Sequence, residues 1–593
     1  MTATAENGRT VAARFDDFRT GRAIVLGEPF HVAEARTLDQ VRPLVAAAEQ
    51  HARRGAWVAL VVAYEAGPAF DPAQQVHAPE DGMPLAWFAA FHEARHTGVV
   101  HRSQQPVTVR DLERRGGWDW YGGSVDDIRE IIASGSAYQI NLTDRLTGVL
   151  DGDPADLYAR MAEAQRGRYN ALIDMGGHVL VSASPELFLD VRGATVQSRP
   201  MKGTMRRGAR SCDDTAAAEQ LAASEKDRAE NVMITDLLRN DIGRVARVGT
   251  VRVPSLLRME RYETVWQLTS TVTGEIDDHL GLVDLFDALF PCGSITGAPK
   301  VSAMRHITEL EPWPRGVYCG AIGIIRPSVV GEPRPWSTFS VAIRTAVVRS
   351  SDGSVVYGAG GGITADSVAI DENRELEAKS AVLTTDRAEF GLLETMRVER
   401  GRVLHLDLHV ARMVDSAHHF DFDVDPAHVR ELLTSLVTDV DPPHRLRMVV
   451  ARDGGIVTTI DPIVDDATPI RVCLAAQAVN SHGVFMVHKT TQRSLYDAVA
   501  AAEPHVDDVL LWNSGGQVVE SCRANVLFRI GERWFTPPLS AGGLPGVGRA
   551  ALVAGGDVVE RVLTVDELAT VDELQLVSAL RGRRAVRLVN GSE

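Results

Sequence analysis

The segment Ser184–Gly208, SPELFLDVRGATVQSRPMKGTMRRG, is the most informative part of the chain. Its alternating apolar and polar residues predict two β-strands joined by a turn at Arg192-Gly193, followed by a Pro-flanked turn that presents Lys202. Glu186 and Lys202 are therefore expected near facing strands. An isolated Lys-Gly pair is typical of a solvated surface turn, so a role for Lys202 depends on its surroundings.

On either side of this segment, from Ala23 to about Leu383, extended apolar runs alternate with helical patterns, which predicts one large α+β domain. After Thr384 a new cycle begins with a strand, a turn at Arg400-Gly401, another strand and an amphipathic helix. We therefore expect an α/β (α+β) chain with two domains, residues 1–383 and 384–593. The length of 593 residues, roughly four times the ~150 of a common domain, agrees with two or more cores.

The composition of the chain argues against some kinds of binding partner and some cellular locations. The formal net charge of −17 would repel a nucleic acid duplex, so nucleic acid is not an expected partner. The N-terminus lacks an apolar signal core, and the longest apolar run, Ala56–Ala63, is far shorter than the ~20 residues of a membrane span. We therefore expect a cytoplasmic protein that does not bind membranes. The five cysteines form no CxxC pair, which predicts buried thiols rather than a disulfide framework or a zinc knuckle.

A nucleophilic lysine needs an unusual environment. Its amine has a reference pKa near ~10.4 and must lose ~3 units to act near neutral pH. Three basic neighbours, Arg199, Arg206 and Arg207, are expected to lower the pKa of Lys202 by charge repulsion.

Residues 20–383 contain seven blocks in a specific order: SPELF, RPMKGT, AENVMITDLLRNDIGRV, CGSITGAPK, CGAIGII, IRT and GAGGGITADS. Together they resemble the chorismate-utilising enzymes, namely anthranilate synthase component I and aminodeoxychorismate synthase component I. The resemblance implies an anthranilate-synthase-type sandwich of antiparallel sheets with helices, and chorismate as substrate. In these enzymes PIAGT is typical of anthranilate synthases and PIKGT of aminodeoxychorismate synthases, and this chain has PMKGT.

By this resemblance, Lys202 would attack C2 of chorismate and expel the C4 hydroxyl, after which ammonia would enter at C4 and displace the lysine. Glu186 matches the general acid and base. Gln267 stands where a histidine associated with pyruvate elimination is often found, which fits a first half that aminates and stops. No stretch resembles the GxCxGxQ turn of a glutamine amidotransferase, so a separate glutaminase subunit, or free ammonia, is implied.

Acidic residues on two predicted helices are candidate metal ligands. Glu230 shares a helix face with the apolar Ile234, and Asp227 lies one turn earlier. Glu372 and Glu375 are three residues apart on a later helix. Helical spacing alone also fits solvated acidic faces. The resemblance instead implies Mg²⁺ bound by Glu230 and Glu375, with Asp227 and Glu372 as further candidate ligands.

The resemblance also implies an anion-binding substrate pocket. Arg344 would fork a carboxylate, and Thr296 and Tyr318 match substrate-lining positions. A glycine loop would bring backbone N–H groups close to an anionic ligand. Its glycines are Gly360, Gly361 and Gly362.

In the second half, MVHKTTQRSLYDA places Lys489 after an apolar strand and before a helix beginning near Ser494, which alone is typical of a surface lysine. Four strings between about residues 388 and 590, FGLLETMRV, HVARM, VVESCRAN and VSALRGRRAV, resemble class IV aminotransferases and aminodeoxychorismate lyases. The resemblance implies a fold-type IV domain of two α/β subdomains that pairs as a homodimer around its cofactor. Lys489 would hold pyridoxal 5′-phosphate as a Schiff base.

Other residues match the remaining cofactor contacts of this second family. Glu520 matches the carboxylate beside the pyridine nitrogen, and Arg412 with the amides near Val547 and Gly548 matches the phosphate cradle. Gly548 replaces a common Thr, so one hydroxyl contact is expected to be missing.

The two resemblances together imply one reaction sequence. The first half would make 4-amino-4-deoxychorismate from chorismate and ammonia, and the second would eliminate pyruvate to give 4-aminobenzoate, a precursor of folate or of a secondary metabolite. Three alternatives stay open from the sequence: a second half that transaminates amino acids, a first half that makes anthranilate or isochorismate, and a non-catalytic scaffold for the glutaminase.

Overall fold

The computed structural model describes residues 12–80, 82–102, 105–329, 331–384, 389–438, 440, 442–463 and 469–589. The chain separates into two compact units. The first consists of residues 1–206 with 218–387, and the second of residues 207–217 with 388–593. The second unit thus includes a short segment that the sequence analysis places in the first domain. No helix within the described ranges is long and apolar enough to cross a membrane.

The helices, in chain order, are α1 (Leu38–Arg53), α2 (Gly67–Phe70), α3 (Gly117–Ala133), α4 (Pro154–Gln165), α5 (Ser211–Ala223), α6 (Glu225–Gly243), α7 (Leu282–Leu289), α8 (Lys300–Leu310), α9 (Ala369–Ser380), α10 (Leu406–Phe420), α11 (Pro426–Val437), α12 (Val484–Val487), α13 (Ser494–Ala502) and α14 (Val547–Ala554).

The strands of the first unit are β1 (Ala13–Asp17), β2 (Arg22–Leu26), β3 (His31–Ala35), β4 (Trp57–Val62), β5 (Ala86–Phe91), β6 (Arg95–Gly98), β7 (Thr108–Arg114), β8 (Gln139–Asp151), β9 (Tyr169–Asp174), β10 (His178–Ser184), β11 (Leu187–Arg192), β12 (Thr195–Arg199), β13 (Met201–Arg206), β14 (Arg252–Arg261), β15 (Val265–Glu275), β16 (Gly297–Ala298), β17 (Ala321–Ile325), β18 (Ser337–Val341), β19 (Thr345–Arg349) and β20 (Ser354–Ile363).

Two sheets form the centre of the first unit. One has the order β16-β8-β20-β19-β10-β9-β1-β2-β6, with β7 also paired to β8. The other has the order β13-β15-β12-β11-β18-β17-β4-β5-β3, with β14 also paired to β15. The described strand pairs of both sheets are antiparallel. The antiparallel sheets implied by the sequence resemblance are therefore confirmed.

Alternating side chains place strand β4 between two apolar cores. Val58, Leu60 and Val62 pack with residues of α1 and α7, whereas Ala59 and Val61 pack with residues of the other sheet. Because this inner core contains residues of both sheets, the sheets pack face to face and the helices cover their outer faces.

The segment around Lys202 forms the expected hairpin and one unexpected strand. Strands β11 and β12 pair antiparallel on either side of the turn at Arg192-Gly193, as predicted. Lys202 lies in strand β13 rather than in a turn. The expected turn is replaced by a register shift between Met201 and Thr204, where β13 pairs with β15.

The strands of the second unit are β21 (Leu392–Glu399), β22 (Arg402–Val403), β23 (His444–Val450), β24 (Ile456–Pro462), β25 (Ile470–Leu474), β26 (Asp508–Trp512), β27 (Val518–Ser521), β28 (Asn525–Ile530), β29 (Arg533–Thr536), β30 (Val559–Glu560), β31 (Glu573–Ser578) and β32 (Gly582–Leu588). They form a four-stranded sheet, β22-β21-β23-β24, and an eight-stranded sheet, β27-β26-β25-β32-β31-β28-β29-β30. The larger sheet is mixed, since β25 runs parallel to both β26 and β32. Helices α10 and α11 pack on the smaller sheet.

Two local predictions in the second unit need correction. The apolar run before Lys489 forms the short helix α12 rather than a strand, because a brief apolar run does not distinguish the two structures. The helix predicted to begin near Ser494 is confirmed as α13. Cys212 is exposed, whereas the other four cysteines are buried, so the prediction of buried thiols is wrong for Cys212.

Candidate active sites

A polar cavity in the first unit brings together most of the residues singled out from its sequence. Lys202 and Glu186 line it together with Arg344 and Tyr318. The wall also includes the four candidate metal ligands and the three glycines, namely Asp227, Glu230, Glu372, Glu375, Gly360, Gly361 and Gly362. The two sheets and the helices α6 and α9 all contribute to this wall.

Backbone contacts fix the position of Lys202. The side-chain amide of Asn231, on α6, donates from Nδ2 to the carbonyl oxygens of Lys202 and Leu268, each at 3.1 Å. Gln267 Nε2 donates to the Gly203 carbonyl at 2.8 Å, and Gly203 has a φ of 90° that favours glycine. The residue that replaces the expected histidine therefore holds the backbone next to Lys202.

Burial shifts the pKa values of Glu186 and Lys202 in opposite directions. Burial raises the pKa of the Glu186 carboxyl to about 7, against hydrogen bonding by Ser294 and the charge of Lys202. Its Oε1 is buried and has no hydrogen-bond partner among the described residues. Burial lowers the pKa of Lys202, Lys379 lowers it further, and the nearby Glu230 opposes both. Both shifts favour the uncharged forms, a neutral amine on Lys202 and a protonated carboxylic acid on Glu186.

The three arginines near Lys202 in the sequence are not what lowers its pKa, contrary to the expectation from the sequence. Repulsion from Lys379, rather than from Arg199, Arg206 or Arg207, adds to burial in lowering the pKa of Lys202. Arg199 is ion-paired with Glu260, which neutralises its charge locally. Lys379 was not identified from the sequence, although it lies four residues after Glu375 on the same helix.

The candidate metal ligands share the cavity but have separate partners. Lys379 Nζ lies 2.7 Å from Glu375 Oε1 and lowers the pKa of Glu375. Ser367 donates to Glu372 Oε1 at 2.7 Å, and Ser224 donates to Asp227. Burial raises the pKa values of Glu230 and Glu372. Across the described chain, these carboxylates do not form a group of three ligand atoms within 4.8 Å of one another.

The predicted substrate-lining residues separate into two groups. Arg344 is partly buried with a left-handed backbone conformation, φ 50°, and donates to the Gln165 side chain. Tyr318 lines the cavity beside it. Thr296 is fully buried and is not among the lining residues, because its hydroxyl donates to the carbonyl of Cys292 at 3.2 Å. The prediction that Thr296 lines the substrate pocket is therefore corrected.

The three glycines lie in strand β20 rather than in a loop. They pair with Asn141–Thr143 of β8, so the expected loop of converging N–H groups is not what they form. At Gly362 the lack of a side chain avoids a steric clash, because a Cβ there would lie 2.8 Å from Lys202 Nζ and 1.8 Å from Gln139 Nε2. The absence of a side chain at Gly362 therefore leaves room for the amine of Lys202.

A second set of buried polar residues surrounds Lys489 in the second unit. Burial and the charge of Arg412 together lower the pKa of Lys489 to about 8. Glu520 is 3% exposed, and burial raises its pKa to about 7. Its carboxyl group accepts hydrogen bonds from the Tyr496 hydroxyl at 2.8 Å, the Leu544 N–H at 3.1 Å and the Asn525 amide at 3.3 Å.

Arg412 is fixed by a carboxylate that the sequence analysis did not identify. Its guanidinium donates to both oxygens of Glu394, at 2.9 and 2.6 Å, and to the Pro545 carbonyl at 3.2 Å. His409 Nδ1 lies 2.6 Å from the same Glu394, and His409 Nε2 is buried without a partner among the described residues. The string ETMRV, which contains Glu394, was the part of the sequence from which this residue could have been identified.

Val547 and Gly548 begin helix α14, so their N–H groups are among those left free of partners inside the helix. A Cβ on Gly548 would lie 2.7 Å from the backbone carbonyl carbon of Ser578. The close approach of this backbone explains why glycine occupies the position where the sequence comparison expects threonine.

These residues fit pyridoxal 5′-phosphate chemically. A partly buried lysine of lowered pKa suits the cofactor's aldehyde, a buried carboxyl group suits its pyridine nitrogen, and an arginine beside a helix N-terminus suits its phosphate. The unpartnered nitrogen of His409 shows that this buried site retains unused hydrogen-bonding capacity.

Comparison with known proteins agrees with a two-site enzyme. Residues 9–385 match the family model described as chorismate binding enzyme, which covers well over half of the chain. The chain therefore belongs to the chorismate binding enzyme family. Residues 391–589 match the family model described as amino-transferase class IV, a domain that implies pyridoxal phosphate.

Individual relatives include two different named activities. Aminodeoxychorismate synthase component 1 of Klebsiella aerogenes is 44% identical over 255 residues, covering 43% of this chain and 55% of that protein. Anthranilate synthase component 1 of Streptomyces coelicolor is 43% identical over 259 residues, covering 43% and 49% respectively. The chain spans about half the length of the curated relatives it matches.

A solved structure shares the fold of the first unit. Anthranilate synthase component I from Streptococcus pneumoniae superposes with a TM-score of 0.52 at 25% identity, covering 61% of this chain and 92% of that one.

Replacing Lys489 by Ala should abolish covalent attachment of pyridoxal phosphate, because the other amine groups of the described chain are not part of the second site. After loading and borohydride reduction, peptide mass spectrometry should show the cofactor on Lys489 of the unchanged protein and on no peptide of Lys489→Ala. Lys226→Ala, in the first unit, should retain the label. Equal labelling of the Lys489→Ala protein would contradict the assignment.

Proposed function

We propose that this chain is a bifunctional enzyme that makes 4-aminobenzoate from chorismate. The first unit would replace the C4 hydroxyl of chorismate by an amino group, giving 4-amino-4-deoxychorismate. The second would eliminate pyruvate from that compound. The observation that carries the proposal is the partly buried Lys202, with its lowered pKa, in the same cavity as the buried acid Glu186.

The first reaction uses the opposite pKa shifts of these two groups. The neutral amine of Lys202 would form a bond to C2 of chorismate while the ring double bond shifts and the C4–O bond breaks. Glu186, with a pKa of about 7, would give its proton to the departing hydroxyl, so that water leaves. Ammonia would then bond to C4 while the ring double bonds shift back and the lysine leaves C2 as a neutral amine. The new ammonium group at C4 would give a proton to the Glu186 carboxylate, which restores the enzyme.

Amination at C4, rather than synthesis of anthranilate, is supported by two residues. Lys202 stands at the position where anthranilate synthases have an alanine, and Gln267 is committed to hydrogen bonds with Gly203 and Thr204. An amide held in this way does not exchange protons near neutral pH, unlike the histidine that it replaces. Overall identity does not separate the two activities, since it is 44% and 43% to the two kinds of relative.

A divalent cation fits the acidic wall of the first cavity. Glu230 and Glu375 would hold Mg²⁺, with Asp227 and Glu372 nearby, because oxygen ligands suit this hard cation. Burial raises the pKa values of Glu230 and Glu372 although neighbouring lysines oppose the shift, so a bound cation would favour their charged forms. Arg344 would bind a carboxylate of chorismate. The cation would offset the repulsion between the dianionic substrate and these glutamates.

In the second unit, pyridoxal 5′-phosphate would be held by Lys489, Glu520, Arg412 and the amides of Val547 and Gly548. When bound, it supplies a sink for the electrons released next to the substrate's amine. With a pKa of about 8, Lys489 can take the ring C4 proton and return a proton to the departing enolpyruvyl group. Aromatisation favours that elimination, and no amino acceptor is needed.

The ammonia source and assembly are further parts of the proposal. We infer a separate glutamine amidotransferase subunit, because the sequence contains no GxCxGxQ turn. We also infer a homodimer through the second unit and a location in the cytoplasm, where chorismate is available.

The product of the complete chain tests the proposal. Chorismate, ammonium, Mg²⁺ and pyridoxal phosphate should give 4-aminobenzoate, identified by mass and retention time, and Lys202→Ala should lower its formation by about 10³-fold or more. Lys489→Ala should accumulate 4-amino-4-deoxychorismate. Anthranilate as the product of the unchanged enzyme would overturn the first half, and an aminated intermediate that requires an amino-acid partner for consumption would favour a transaminase in the second.

The proton held by Glu186 predicts the pH dependence of the first reaction. Because the protonated acid is the active form and its pKa is about 7, kcat/KM for amination at saturating ammonia should fall as pH rises through about 7. Glu186→Gln, which cannot transfer a proton, should leave a much lower rate without that alkaline decline. Glu219→Gln, on an exposed position, should retain the profile. An unchanged alkaline decline in Glu186→Gln would assign the titration to another group.

A further inference from the structure

Three side chains of metal-binding type meet in the second unit, away from the residues assigned to pyridoxal phosphate. Cys473 lies on strand β25, Glu503 directly follows helix α13, and His505 lies between that helix and strand β26. Cys473 is far from Glu503 and His505 along the sequence, so these residues do not form a metal-binding motif with a recognisable spacing. The parallel pairing of β25 with β26 brings them together.

Their spacing suits a common ion. One ligand atom from each residue, the Cys473 sulfur, a Glu503 oxygen and a His505 ring nitrogen, lies within 4.8 Å of the others. Glu503 Oε2 and His505 Nδ1 are 3.7 Å apart. That separation is too long for a hydrogen bond. Ligands held at 2.0–2.3 Å from a tetrahedral Zn²⁺ are separated by about 3.3–3.8 Å.

The burial of Cys473 and of one His505 nitrogen is a second observation at this group. Cys473 is 2% exposed and packs among apolar residues that include Val499, Ala500 and Val506. His505 Nε2 is buried and has no hydrogen-bond partner in the described part of the chain. A buried ring nitrogen without a hydrogen-bond partner is costly unless a ligand binds to it. One ion takes a single ring nitrogen, so the 3.7 Å separation from Glu503 concerns Nδ1 as the ligand atom and the missing partner concerns Nε2 as the alternative.

We propose that Cys473, Glu503 and His505 form a binding site for one Zn²⁺ ion. Thiolate, imidazole and carboxylate together suit zinc rather than the hard Mg²⁺ expected in the first unit. With three protein ligands, the fourth tetrahedral position would hold water. None of the three ligands is a residue of either proposed active site.

A metal here would join strand β25 to the end of helix α13. The same helix carries Tyr496, whose hydroxyl donates to Glu520 at 2.8 Å. An ion that binds only the folded state stabilises it by mass action. Zinc should therefore raise the thermal stability of the second unit and hold Tyr496 in place.

Cobalt(II) provides the direct test, because thiolate ligation gives a charge-transfer band in the near ultraviolet. The full chain carrying Cys212→Ser, which removes the exposed thiol, is depleted of metal by chelation and then titrated with Co²⁺ against the same protein without metal. We expect a thiolate band that saturates at one Co²⁺ per chain and is displaced by Zn²⁺. The cavity of the first unit has no cysteine in its wall, so cobalt bound there gives no such band.

Matched variants assign the ligands. Cys473→Ser should abolish the band, and His505→Ala should weaken Co²⁺ binding by about tenfold or more. Cys522→Ser, a buried cysteine of the same apolar cluster, should keep both the band and the affinity. Since His505 is only half-buried, its variant should fold even if Cys473→Ser does not. Absence of a thiolate band in the parent protein, or an undiminished affinity in His505→Ala, would overturn the proposal.

Discussion

The withdrawal of Lys202 and Glu186 from water is the physical constraint on which the first site depends. Burial disfavours charge on both groups, so it increases the neutral, nucleophilic fraction of Lys202 and keeps the proton on Glu186 to a higher pH. Lys379 strengthens the effect on Lys202 by repulsion and is itself held by Glu375 and the Gly360 carbonyl. A solvated cavity would leave a charged amine beside a charged carboxylate, and neither could perform its proposed step.

The surrounding fold provides this environment. The two antiparallel sheets close on an apolar core, and the polar cavity is bounded by irregular strand β13, the extended glycines of β20 and two acidic helices. A buried ion pair supports the same region: Arg315 binds Glu311 at 2.6 Å and donates to the carbonyls of Ile295 and Asn141. Burial has the same effect on a lysine and a glutamate of the second unit. It lowers the pKa of Lys489 to about 8 and raises that of Glu520 to about 7.

The sequence could predict the chemical groups better than their surroundings. Glu186, Lys202, Glu230 and Glu375 belong to contiguous motifs, and the structure brings them to one cavity. The hydrogen-bond partner of the Thr296 hydroxyl could not be predicted from the sequence, because a local turn directs this hydroxyl to the Cys292 carbonyl.

The same limit applies to longer-range contacts. Lys379 acts on Lys202 only because α9 packs against β20, and Cys473 meets His505 only because β25 pairs with β26. Sequence patterns describe which residues share an element, whereas these contacts depend on how elements pack.

The covalent bond between Lys202 and chorismate is the central step of the proposed first reaction. Mass spectrometry of the enzyme mixed with chorismate and Mg²⁺ without ammonia tests it most directly. We expect an adduct of chorismate minus water on the peptide that contains Lys202, which disappears when ammonia is added. An enzyme that turns over chorismate at full rate with Lys202 replaced, and that never carries such an adduct, would contradict it.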